Sequence, residues 1–392
     1  MATIPVKWYV SEMTGSPRIS GTTGDMITFL DTVLTTTGFN TLSASSLVIN
    51  NNVATLTFAS PHGYLDHQVI AISGSTITGD DPTALNGQWR ATVPSISNPT
   101  TLTFATSGIS NQTASGSISV KTPGLGWTKA YSGTNLGAYQ SSDNNSTKML
   151  LRVSDSDYRA TVLLYESMTD INTGWTTCSS GLTWQKSNYA NTNACVWALV
   201  GDTRFFMLFI APLTQAGYTR NYEGSGFGDL VPFSASDNWN CVLFSRNNNF
   251  NIGSYNVDIF TNPRGGGNSG SGGNGSTFLI ARGPYGLGSC ASAYAFSDVS
   301  GNAGASGWTF PSPLDGKLHI VPRWVYDGSG VRGILPGVYM PVEHLAGYGS
   351  NCRSRTFFRY NGRVYMPMNN YGSPPSNDYI CILVDITGPW RT

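Results

Sequence analysis

The sequence predicts an all-β, multidomain fold: antiparallel sandwich- or barrel-like sheets, one amphipathic helix near the N-terminus, and a small β domain inserted after it. Pattern is the first reason. Apolar runs of strand length alternate with clusters of Asn, Ser, Gly and Asp along the chain, as successive antiparallel strands require. Composition is the second. Hydrophobic residues make up 40%, aromatics 12% and charged residues only 11%, less than half the usual charged share. A chain this apolar folds despite its low charge. It also suits a subunit that hides much of its surface against neighbours, because charge is depleted at interface cores.

Residues 1–41 form an N-terminal arm and helix. Trp8, Tyr9 and Val10 are extended, and Pro17 breaks the run. Thr22 or Thr23 is the expected cap of a helix whose apolar positions Met26, Ile27, Leu30, Val33 and Leu34 share one face, with Gly38 at its stop. Residues 42–122 read as a small β-barrel or sandwich module. Its strands are expected at Asn52–Phe58, Val69–Gly74, Trp89–Val93, Thr101–Ala105 and Ser117–Val120, with turns at Pro61-His62-Gly63-Tyr64 and Asn86-Gly87.

Residues 123–392 form the main β body, with a subdivision expected near 311. Its organising stretch runs from Trp127 to Trp175. Core strands follow at 181–186, at 194–200 and at 204–210, the last two buried on both faces. Further strands are expected at 227–232, 239–244, 277–282 and 317–326. Arg264 to Ser276 reads as a glycine-rich hairpin tip. Residues 331–341 combine tight turns with large side chains. Asn361-Gly362 predicts a type I′ hairpin, and 379–386 is the closing strand.

Charge and sequence pattern also bear on function. Acidic and basic residues number 22 each, and no basic run stands out, so a nucleic-acid footprint is not expected. The first residues lack the basic and then apolar pattern of a cleaved signal. The most apolar segment, 196–213, is interrupted by Gly201-Asp202-Thr203-Arg204, which fits a hairpin turn and not a membrane span. Cys178, Cys195, Cys241, Cys290, Cys352 and Cys381 form no C-x-x-C pair. A chain of this size needs no staples, so free buried thiols are expected in preference to disulfides.

No catalytic, cofactor-binding or metal-ligating residue set is assigned. His62, His67, His319 and His344 show no metal-ligand spacing. Asp155-Ser156-Asp157 lacks the glycine and distal glutamate of a Ca²⁺ loop. A glycosidase would need two carboxylates about 5–10 Å apart; Glu166 with Asp170 is the pair to weigh, and a solvated turn is the preferred reading. Gly283-Pro284-Tyr285-Gly286-Leu287-Gly288 opens no helix and is not read as a phosphate cradle. Arg353, Arg355, Arg359 and Arg363, with Phe357, Phe358 and Tyr360 among them, read as a strand with one polar face before an anionic-ligand site. Aromatic side chains are numerous, and core packing is their default; an exposed cluster would be a carbohydrate candidate.

Several runs resemble structural proteins of tailed-bacteriophage virions. They are Gly24-Asp25-Met26-Ile27-x-x-Leu30-Asp31, Gly126-Trp127-Thr128-Lys129-Ala130-Tyr131-Ser132-Gly133-Thr134-Asn135 and Leu151-Arg152-Val153-x-Asp155. Tyr165-Glu166-Ser167-Met168-Thr169-Asp170, Leu182-Thr183-Trp184-Gln185-Lys186-Ser187 and Arg332-Gly333-Ile334-Leu335-Pro336-Gly337-Val338-Tyr339 complete the set. In that pattern the helix and the Trp-Thr-Lys run lie closer together. The segment 42–122 therefore looks like the small β modules spliced into phage tail and baseplate proteins, which decorate outer surfaces. The resemblance implies a structural, non-enzymatic subunit of the tail, baseplate or neck, with head-shell decoration as the alternative. It implies assembly in the host cytoplasm and residence in the virion. The expected partners are other virion proteins and copies of itself in a trimer or ring, with no nucleic acid and no membrane. The rival readings are an adhesin for a host surface receptor or glycan and a virion-associated glycan depolymerase.

Overall fold

The computed structural model describes residues 5–79, 81–94, 99–178, 181–212, 222–245, 277–283, 285–296, 312, 314–342, 357–369 and 381–391. The fold is all-β, built from antiparallel sheets, and its helix among the described residues is Asp25–Val33. No described helix is long and apolar enough to cross a membrane.

One sheet of 13 strands dominates. It starts at Lys7–Val10 and passes through Val196–Gly201, Phe205–Ala211, Glu223–Asp229, Cys241–Ser245, Thr277–Ile280, Ala291–Phe296, Ile320–Asp327, Gly330–Pro341, Cys381–Asp385 and Arg363–Asn369 to Phe358–Tyr360. Val231–Pro232 pairs beside the path with Gly330–Pro341. A sheet this wide has to curl. Here its two ends come together: the Trp8 ring stands edge-on to Phe357, with centroids 5.0 Å apart. Ala291–Phe296 pairs with Ile320–Asp327, so strands from either side of position 311 share this sheet.

The two expected core strands are covered on both sides. Phe206 meets Trp127 and Trp184, while its neighbour Phe205 meets Trp390. The turn between them is an aspartate turn. Asp202 accepts backbone N–H bonds from Arg204 and Phe205 at 2.8 and 2.7 Å. The organising stretch supplies four strands of a five-stranded sheet: Thr128–Gly133, Leu136–Gln140, Leu150–Ser154 and Arg159–Tyr165, followed by Leu182–Gln185. Trp184 ties it to the large sheet by donating its indole N–H to the Phe244 carbonyl at 3.1 Å.

Residues 39–122 build two four-stranded sheets around a core of their own, which includes Leu47, Leu56, Ile70, Leu102, Phe104 and Val120. Bridges Thr76↔Ser115 and Thr92↔Thr103 join the two sheets into a barrel-like unit. Its ends lie side by side, with Phe39 opposite Thr122. The chain leaves the helix through Gly38, whose N–H donates to Thr32 O. It returns to the same helix end, where the amides of Leu125, Gly126 and Trp127 donate to Val33 O and Leu34 O at 2.8 Å. The carbonyls that a helix C-terminus leaves open are thus closed by the chain on the far side of the module.

Two elements differ from expectation. Ser46–Asn50 is a strand, joined to Val53–Thr57 by Asn51-Asn52 with both residues at positive φ. This is the turn chemistry of Asn-Gly carried by Asn alone. Gly330–Pro341 is one continuous strand rather than a set of tight turns. It absorbs register shifts against Ile320–Asp327. A Cβ on its Gly337 would lie 2.2 Å from the Trp390 ring, so glycine is required there. Asn361-Gly362 is the expected two-residue hairpin, with φ of 48° and 73°. The segment 264–276 lies outside the described residues.

Module and body meet at His67. Its carbonyl accepts from Trp8 Nε1 and Arg90 Nη1, each at 2.9 Å, and Arg90 also reaches Val6 O at 3.0 Å. Arg359 Nη2 lies 2.6 Å from His67 Nε2, a contact that a neutral ring can accept. Inside the module, His62 Nδ1 accepts from the Tyr64 N–H at 2.9 Å, which also demands a neutral ring. Burial pushes both histidines below the ordinary imidazole value, and at His67 the neighbouring Arg359 and Arg90 add to the effect against Asp66. As pH falls below about 6.5 the unfolded chain takes up these protons first, so stability is lost until the folded-state values are passed. The melting temperature should therefore drop as pH is lowered through about 6.5. His62→Gln should flatten that dependence, and an identical pH profile for the variant would show that His62 plays no part.

Candidate functional site

Three of the runs that carry the phage resemblance, Gly126–Asn135, Leu151–Asp155 and Leu182–Ser187, meet at the helix. Neither Thr22 nor Thr23 caps it by side chain. Gly24 holds the N-cap position at φ 89°, and a Cβ there would sit 2.8 Å from Asn135 Oδ1. The cap arrives from 129 residues away, as Met26 N–H donates to Asp155 Oδ2 at 2.8 Å. Asp155 Oδ1 forms an ion pair with Lys186 Nζ, and both side chains are fully buried. Lys186 also donates to Thr22 O at 2.6 Å, and Thr23 Oγ1 donates to Ser156 O at 3.2 Å. Burial pushes the Asp155 carboxyl above its ordinary range, while Lys186 and the Met26 amide pull the other way. Further along the helix, Asp31 accepts from Lys129 Nζ at 2.9 Å and from the Tyr139 hydroxyl at 2.8 Å.

This cluster is structural. The Asp155-Ser156-Asp157 stretch has one carboxylate committed to the helix and Lys186, and Asp157 accepts the N–H of Tyr158 at 2.7 Å. Among the described residues no group of three or more His, Cys, Asp or Glu side chains could hold a metal ion.

Glu166 and Asp170 are each committed to another partner. Asp170 closes its own turn by accepting from Asn172 N–H at 2.7 Å, the main reason its carboxyl lies below the usual range. Glu166 is gripped by Arg282 through two bonds of 2.8 Å. Of the four arginines grouped by sequence, Arg353 and Arg355 lie outside the described residues, as does His344. Arg363 pairs with Asp385, and Arg359 serves the His67 junction.

The Glu166–Arg282 pair belongs to an ion network beneath a set of exposed aromatic and apolar side chains. Arg282 lies over the Trp239 ring, 4.7 Å from its centroid, and donates to Gly286 O at 3.0 Å. The buried Arg332 donates to both Asp237 oxygens at 2.8 and 2.9 Å, to Asp327 at 2.5 Å and to Arg282 O at 2.7 Å. Burial alone would weaken its charge, but the two carboxylates outweigh it and raise its pKa.

The segments bonded to this network carry exposed side chains: Tyr285, Leu287 and Phe233, at 83%, 73% and 72% exposure, with Trp175 and Val331 also exposed. Bonds connect the segments that carry them. Phe233 N–H donates to Arg332 O, Glu166 N–H donates to Trp175 O, and Gly286 separates Tyr285 from Leu287. The Tyr285 turn is fixed by the 2.9 Å bond from Gly286 N–H to Gly283 O, and a Cβ on Gly286 would lie 2.4 Å from Trp239 Nε1. Sequence reasoning weighed the glycines of 283–288 only as a phosphate cradle. Two large apolar residues flanking an obligatory glycine were the signal for a rigid display loop.

The expectation of free thiols is overturned for one pair: Cys178 is bonded to Cys290, with Cα atoms 4.8 Å apart. Cys195 and Cys241 are free and buried. Cys352 lies outside the described residues. Beside the bond Thr177 holds the same segments together, donating to Ala281 O and accepting from Cys290 N–H, each at 3.0 Å. A contact across 112 residues leaves no local sequence signal.

No family model matches the chain, and no curated protein matches it.

Two outcomes follow from this geometry. Asp155→Ala should destabilise the protein by about 3–5 kcal/mol in chemical denaturation, because it strands a buried ammonium. Combining Asp155→Asn with Lys186→Met should recover most of that loss, and a single Asp155→Ala variant as stable as wild type would refute the keystone role. Reduction of Cys178–Cys290 should lower stability by about 2–4 kcal/mol, read as a lower melting temperature that Cys178→Ser reproduces without reductant.

Proposed function

We propose that this chain is a structural subunit of a tailed-phage particle, sited in the tail, baseplate or neck and working through contacts with other virion proteins. The aromatic rim carries the reading. Tyr, Phe, Leu and Trp side chains are held out on a fixed base whose charges are already paired, the composition of an interface core rather than of a free surface. The phage-like runs supply the setting, and their residues hold the body that presents the rim. The Cys178–Cys290 bond suits a protein whose working life is spent outside the cell. A glycan depolymerase finds less support, since Glu166 is committed to Arg282 and Asp170 to its own turn.

Mass spectrometry of purified, washed particles should detect the chain in many copies. A cryo-EM map of the same particles should place it in the tail, baseplate or neck. Absence of the chain from the particles sinks the proposal. Density on the head shell would move it to decoration of that surface.

A further inference from the structure

We propose that His67 is a proton-operated latch between the inserted module and the C-terminal hairpin of Phe358–Tyr360 and Arg363–Asn369. Its neutral ring holds Arg359; its protonated ring turns to Asp66 and lets Arg359 go. The latch is independent of the virion reading.

The backbone fixes where the ring stands. His67 has a φ of 62°, its N–H donates to Ala91 O at 2.9 Å, and its carbonyl accepts from Trp8 Nε1 and Arg90 Nη1. The side chain is 13% exposed and meets the Phe357 ring edge-on, with centroids 5.8 Å apart. Two groups of opposite sign converge on Nε2. Arg359 Nη2 lies 2.6 Å away on the hairpin side, and Asp66 Oδ2 lies 3.3 Å away on the module side. Arg90 is the other charged group that faces the ring, and it belongs to the module.

One lone pair on Nε2 decides which group is bonded. An unprotonated nitrogen accepts from Arg359; a protonated one can only donate. The proton therefore replaces a hydrogen bond to the guanidinium with repulsion between two cations, to which Arg90 adds. Asp66 is the acceptor that remains. Its Oδ1 takes the Val93 N–H at 3.2 Å, which leaves Oδ2 for the ring. The module side is thus bonded in both states, and the hairpin side in one. Arg359 is 69% exposed, so water readily takes up the released guanidinium. The other bonds of the junction, from Trp8 and Arg90 to backbone carbonyls, involve no group that titrates near neutrality, so opening is confined to the hairpin. Burial, against the pull of Asp66 and together with Arg359 and Arg90, holds the imidazole below its ordinary value. The latch is accordingly closed at neutral pH and opens in mild acid.

Hydrogen exchange of the full-length chain, read by mass spectrometry at about pH 7.5 and about pH 4.5 with labelling times scaled to the intrinsic chemical rate, tests the latch. After that scaling, peptides spanning 357–360 should exchange at least about tenfold faster at the lower pH, and peptides from Cys241–Ser245 should not change. His67→Gln, whose amide oxygen accepts from Arg359 at either pH, should remove the difference. His62→Gln should keep it. Equal protection of 357–360 at both pH values in wild type overturns the proposal. So does a change that extends to Cys241–Ser245, an opening that persists in His67→Gln, or one that disappears in His62→Gln. Should His67→Gln fail to fold, the exposed Arg359→Gln is the second test. It should make the exchange of 357–360 independent of pH, and a pH response equal to wild type's overturns the latch.

Discussion

The buried pair of Asp155 and Lys186 is the interaction on which the rest of the body depends. A helix of nine residues is too short to be stable alone in water. Here it is held by tertiary contacts at both ends. Asp155 accepts from its first turn, Lys186 grips the preceding Thr22 carbonyl, and the amides of 125–127 close its last turn. A buried ion pair contributes little net stability by itself. Its consequence is positional: helix, Trp127–Asn135 hairpin and the strand Leu182–Gln185 can assemble in one arrangement only, because any other leaves a buried charge without a partner. The helix side chains Met26, Phe29, Leu30 and Val33 then fill the main core.

That arrangement explains how an entire β module can sit between residues 38 and 123. Both its ends are bonded to the same helix terminus, so the main body sees a closed loop whatever its length. Loop-closure entropy grows slowly with length, and the module has its own apolar cluster to stabilise it. The junction at His67 and Arg90 then fixes its orientation against Trp8 and the C-terminal tail.

How much of this was legible in the sequence follows the range of the interactions. Period and turn chemistry are local. They located the buried strands 196–200 and 205–210, the Asn361-Gly362 hairpin and most of the module's strands. The helix face was readable, but its cap was not, since Asp155 is remote in sequence and Thr22 was a plausible local substitute. Gly330–Pro341 resembled turns because glycine and proline usually interrupt strands. It survives as a strand by switching partners along its length and by seating Gly337 against Trp390. Cys178–Cys290 and the rim were illegible for one reason: each is made by segments that only the folded sheet brings together.

The low charge of the sequence acquires a physical meaning in the fold. Many of its ions are buried or half-buried, at Asp155–Lys186, Asp237–Arg332–Asp327, Arg363–Asp385 and Arg391–Asp202. Charge that would ordinarily keep surfaces soluble and apart is used instead to fix the geometry of neighbouring strands. Around Trp239 the surface is consequently left to aromatic and small polar groups. A free monomer gains nothing from exposing Tyr285 and Leu287 on so rigid a mount, because flexible polar loops would close the same turn. The combination of spent charge and fixed aromatic display is what the proposed contact with another protein surface rests on.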